Sequence, residues 1–175
     1  MLIEAENVEG IELFNSSAER ENGRGDSSYM WDLTLEAGKR FWGLATDDCH
    51  CPGFDIGDAW TMVRAPDRSE EAFLDALRRG MTYAFSGPEI FDVHLDGAPV
   101  EVHCSPASSV VLMSRYETGW AVRADHRNPQ EDARILERDA AGLICRARFR
   151  PPMELPYRRL VIEDGRGRKA WTNAL

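Results

Sequence analysis

The chain has 175 residues, 43% of them hydrophobic and 29% charged, with a formal net charge of −9 at pH 7. That length buries about 70% of the unfolded surface as one domain or two small ones, and the composition excludes a disordered chain. The acidic balance excludes nucleic acid and anionic membrane as partners, since both call for a basic surface that displaces counterions. The opening Met1-Leu2-Ile3-Glu4-Ala5-Glu6 has neither a basic nor an apolar stretch. No apolar run nears the roughly 18 residues of a bilayer span, so a cytoplasmic protein is expected. Cys49, Cys51, Cys104 and Cys145 are irregularly spaced, which points to free thiols.

Val8 to Phe14 reads as a short strand, followed by a polar loop from Asn15 to Gly25. Asp26 or Ser27 caps a helix with Met30, Leu33 and Ala37 at inward spacing, and Gly38 takes the left-handed position that ends it. Phe41 to Thr46 is a second strand, Cys51 to Asp58 a long loop, and Ala59 to Val63 a third strand. Asp67 or Ser69 opens another helix, with Phe73, Ala76 and Leu77 on one stripe, Arg78 and Arg79 in the last turn and Gly80 at the stop. After Pro88 the rhythm changes to short alternating strands. Asp96-Gly97 is a hairpin signal, and turns are expected at Glu117-Thr118-Gly119, Asp139-Ala140-Ala141-Gly142 and Glu163 to Gly167. The expected organisation is an α/β segment over 1–88 and an antiparallel β-sheet or sandwich over 89–175.

The chemistry concentrates in Gly43-Leu44-Ala45-Thr46-Asp47-Asp48-Cys49-His50, an apolar run ending in carboxylates and an imidazole. On an extended backbone Asp48 and His50 point the same way and can address one ion, with Cys49 turned elsewhere. Cys49-His50-Cys51 also admits a zinc reading, weakened because Cys104 and Cys145 form no second ligand pair. Asn22-Gly23-Arg24-Gly25 offers amides and a guanidinium to a phosphate, but an ordinary turn is the simpler reading. Arg146, Arg148, Arg150, Arg158 and Arg159 form a basic patch, read as a solvated strand face. His94 and His103 flank the Asp96-Gly97 hairpin on its polar face, and the five tryptophans read as core or rim aromatics.

Gly10-Ile11-Glu12-Leu13-Phe14-Asn15, Trp31-Asp32, Gly38-Lys39-Arg40, Asp47-Asp48-Cys49-His50, Trp60-Thr61-Met62-Val63 and Tyr83 to Ile90, in that order, resemble the C-terminal half of the PHP family of metal-dependent phosphoesterases. The terminal Ala170-Trp171-Thr172-Asn173 is similar to the end of a branch that appends a β domain. The resemblance implies a distorted α/β barrel with ligands at the strand C-termini, here a partial PHP-type barrel followed by the β domain. It implies hydrolysis of a phosphate ester by metal-bound water, with Asp48 and His50 as the last ligand motif and manganese, zinc or iron as the ion. The family's early histidine-x-histidine pair and its intermediate ligands have no counterpart here. The expectation is therefore the C-terminal portion of such an enzyme, a truncated product or cut domain inactive alone, with no general base assigned. A phosphorylated substrate is expected if the site is active. The alternative is a non-catalytic binding or assembly module in which the β domain mediates the interactions. An incomplete barrel leaves a sheet edge open, so the expected partner is a missing N-terminal segment or a second copy, a homodimer burying Phe14, Phe41 and Trp42.

Overall fold

The computed structural model describes residues 2–116, 118–126 and 131–175. The chain divides into two units, Met1–Ser86 with Trp171–Leu175, and Gly87–Ala170. The second unit is thus an insertion: the chain leaves the first after Ser86 and returns to it at Trp171.

In the first unit β1 (Gly10–Asn15) is followed by α1 (Ser16–Asn22) and α2 (Ser28–Glu36), which return the chain to β2 (Trp42–Thr46), parallel to β1. Helix α1 forms where the sequence reads as a loop. Its ends explain why: the Asn15 side chain accepts from the Ala18 N–H at 2.8 Å, and Gly23, at φ +69°, donates its N–H to Glu19 O at 3.0 Å. Two polar turns carry too little hydrophobic periodicity to announce themselves. Helix α2 buries Trp31, Thr34 and Leu35, not the Met30, Leu33 and Ala37 stripe. The largest apolar side chain sets the inward face, and Trp31 Nε1 donates to Phe41 O at 2.8 Å. Then β3 (Trp60–Val63), α3 (Glu70–Arg78) and β4 (Thr82–Phe85) follow, with β3 antiparallel to β4. Ser69 caps α3 by accepting from the Ala72 N–H at 3.2 Å, while Ala76 is its buried residue and Phe73 is exposed.

Two side chains stand in for a ladder between β2 and the β3–β4 pair. Thr61 Oγ1 accepts the Ala45 N–H at 3.0 Å and donates to Ala45 O at 2.9 Å. Asn173 Oδ1 accepts the buried Gly43 N–H at 2.8 Å, and its Nδ2 donates to Gly80 O at 2.9 Å and Thr82 O at 3.1 Å. The C-terminal residues therefore complete the first unit. Gly80 is required where it stands: its φ is +63°, and a Cβ there would lie 2.5 Å from Trp42 Cε3.

The expected partial α/β barrel does not form. The described residues are mostly β, gathered in three sheets, and contain no closed barrel. A barrel of this kind is built from successive parallel strands joined by helical crossovers. Among the described residues only β1 and β2 are paired that way; β2 reaches β3 by a loop, and β3 and β4 run antiparallel although α3 lies between them. Strand and helix rhythm carries no information about strand direction, which is why the sequence misleads here. The outer edge of β1 is also partly covered, since Asn15 donates to Gly25 O at 3.0 Å and Leu13 O accepts from Ser27 at 2.8 Å. Phe41 is buried, Phe14 lies against Trp171 with ring centroids 5.4 Å apart, and Trp42 donates to Arg78 O at 3.3 Å.

The second unit contains β5 (Ile90–Leu95), β6 (Val100–Ala107), β7 (Ser109–Met113), β8 (Gly119–Arg123), β9 (Ala133–Arg138), β10 (Ile144–Phe149) and β11 (Arg159–Glu163). Strand β12 (Lys169–Thr172) carries the chain back to the first unit. Two antiparallel arrays result, in the orders β5-β6-β10-β9 and β11-β7-β8. Val100, Val102, Cys104, Ile144, Phe149, Val110, Leu112, Leu160 and Ile162 are buried between them. The Asp96-Gly97, Asp139 to Gly142 and Glu163 to Gly167 turns join consecutive strands as expected, whereas Glu117 of the Glu117-Thr118-Gly119 turn lies outside the described residues.

The arginine face is only partly solvated. Arg146 and Arg148 both pair with Glu101, and Arg158 donates to Ala98 O at 2.9 Å. Arg159 is 1% exposed, because β11 buries two consecutive residues at its start and the period of two fails there. His94 and His103 are exposed opposite Glu101 and Asp92.

Candidate functional site

Strand β2 ends at Thr46, and the loop that follows is fixed by two aspartates. Asp47 accepts the N–H groups of Gly57 at 2.6 Å, Asp58 at 2.8 Å and Ala59 at 2.7 Å, and the Ser16 hydroxyl at 3.1 Å. It closes the far end of the loop onto the strand. Asp55 is buried and accepts from the backbone N–H of His50 at 2.8 Å and of Cys51 at 2.9 Å, and from the Cys49 thiol at 3.2 Å. The His50 amide leads these donors in holding the Asp55 carboxyl at about 2, against an ordinary 3.8, while burial opposes them. A carboxylate that accepts this many donors organises a loop. Arg20 ties the same loop to α1 by pairing with Asp58 and lying 5.0 Å from the Phe54 ring centroid.

Held in this way, the loop presents Asp48 and His50 at its surface. Asp48 has φ +52°, a left-handed backbone that aspartate tolerates better than most residues. The pair therefore meets by a turn and not by strand alternation. Asp48 Oδ1 lies 3.9 Å from His50 Nε2, with side chains 50% and 67% exposed. Asn15 Nδ2 donates to Asp48 Oδ2 at 3.1 Å and to Glu12 Oε2 at 3.3 Å, and the Thr46 hydroxyl donates to Glu12 Oε1 at 2.5 Å. Glu12, Asn15 and Asp55 were not singled out in the sequence. Asn15 and Asp48 stand 33 positions apart, and only the parallel pairing of β1 and β2 brings their strand ends together.

The other candidates fall away on geometry. The Cys49 thiol points to Asp55, whose hydrogen bond and charge raise it above its ordinary value of 9.0. Among the described residues no three His, Cys, Asp or Glu side chains are grouped to hold a metal ion, so the Cys49-His50-Cys51 zinc site is not assembled. In Asn22 to Gly25, Gly23 caps α1 and the Gly25 N–H is taken by Glu19 Oε2 at 2.9 Å, which makes the segment a turn. All four cysteines are free thiols. Among the described residues no helix is long and apolar enough to cross a membrane.

The loop after the second strand of the first unit thus brings one carboxylate and one imidazole together at its surface. Residues 43–82 match a family model described as PHP-associated. The matched segment runs from β2 through α3 to the first residue of β4 and includes Asp48 and His50. No curated protein and no solved structure matches the chain.

Proposed function

We propose that this chain is the C-terminal portion of a PHP-like phosphoesterase, to which Asp48 and His50 contribute two ligands of a divalent-metal site. The observation that carries this reading is the convergence of Asp48 Oδ1 and His50 Nε2 to 3.9 Å inside the segment that matches the PHP-associated family. With metal bonds of about 2.1 Å, two donors on one ion stand about 3.0 to 3.4 Å apart, so small rotations of two exposed side chains close the difference. Carboxylate and imidazole suit manganese, zinc or iron. Such an ion acidifies water and neutralises phosphoryl oxygens, which is the chemistry that hydrolysis of a phosphate ester needs. Asp48 and His50 bind and orient; neither is assigned as a general base. A catalytic metal needs about three protein ligands. Among the described residues no third His, Cys, Asp or Glu joins the pair, so catalysis needs a further ligand that Asp48 and His50 do not supply.

The test is metal uptake. Elemental analysis after equilibration with Mn²⁺ should show the metal bound to the wild-type chain. That binding should vanish in the Asp48→Ala/His50→Ala double variant. Uptake that is absent in the wild type, or equal in the double variant, overturns the reading.

A further inference from the structure

We propose that Asn15 is a positioning residue for Asp48, fixing which carboxylate oxygen faces His50; the inference rests on the ligand reading of Asp48 and His50 above. Asn15 ends β1 and caps α1, with Oδ1 accepting the Ala18 N–H at 2.8 Å. That bond decides how the amide is turned, because a flipped side chain would set an NH₂ against an N–H. Nδ2 must then face away from the helix, and its two protons go to two carboxylates, Asp48 Oδ2 at 3.1 Å and Glu12 Oε2 at 3.3 Å. Glu12 is itself held by the Thr46 hydroxyl. With Oδ2 so engaged, Oδ1 is the oxygen left facing His50 Nε2.

Asp48 needs such a tether. An exposed aspartate samples several rotamers, and an ion that binds it has to offset the entropy of ordering the side chain. A residue that already orders the carboxylate removes that cost. Hydrogen-bond partners of metal ligands commonly change metal affinity by about 10- to 100-fold when replaced.

Asn15→Ser separates this role from capping. Serine keeps an oxygen for the Ala18 N–H but has no amide to give Asp48. Mn²⁺ is titrated into histidine-labelled protein, and paramagnetic broadening of the His50 ring signals is followed, with the Asp48→Ala protein as the reference. The serine variant should need about tenfold more Mn²⁺ for the same broadening. Its metal-free thermal midpoint should stay within about 2 °C of the wild type, because the cap survives. Asn15→Thr, with the same capping chemistry, serves if the serine variant fails to fold. An unchanged Mn²⁺ response in both variants overturns the role of Asn15 and leaves the ligand reading standing. Wild-type broadening that survives in Asp48→Ala removes both.

Discussion

Replacing Asn173 by Ala should destabilise the first unit by about 3 kcal/mol. The buried Gly43 N–H loses its acceptor, and Gly80 O and Thr82 O lose a donor. An unsatisfied buried amide costs about 1 to 3 kcal/mol; the two half-buried carbonyls add less, because water reaches them once the side chain is gone. For a chain of this size each kcal/mol lowers the midpoint by about 2 to 4 °C, so a fall of roughly 6 to 12 °C is expected. Tryptophan fluorescence during thermal and urea unfolding reads this directly, since Trp31, Trp42, Trp60 and Trp171 lie in the first unit and Trp120 in the second. A Trp120→Phe background makes the signal report the first unit alone. A loss below about 0.5 kcal/mol in that background would refute the argument that a side chain substitutes there for a strand ladder.

Acid should act through Asp55. Its folded-state pKa is depressed to about 2, so the stability it contributes is fully present above its ordinary 3.8 and is lost as pH falls from there toward 2. Asp55→Asn should flatten that part of the stability–pH curve, and an unchanged acid limb in urea unfolding would count against the assignment. Thiol alkylation should rank the cysteines. Cys51 is exposed, Cys49 is exposed but held up by Asp55, and Cys104 is buried and pushed up to about 12. Mass spectrometry should therefore find Cys51 labelled before Cys49, with Cys104 protected until the chain unfolds. Rapid labelling of Cys104 in the native state would contradict the packing of β6.

The sequence by itself determined the local features. Gly38 and Gly80 stop helices because they adopt positive φ, Ser69 caps α3, and Asp96-Gly97 joins β5 to β6. Each of these depends on residues within a turn of one another, so the information is local. Asp48 and His50 were legible for a related reason, being two positions apart, although a turn and not a strand brings them together. Tertiary structure decided the rest. The direction of β3 against β4, the inward face of α2 and the burial of Arg159 depend on what packs opposite, which no short window contains. Asn173 closing onto Gly43 across 130 positions, and Asn15 reaching Asp48 across 33, arise only once distant strand ends are set side by side. A hydrogen bond needs its partner within about 3 Å, and the fold, not the spacing of letters, supplies that proximity.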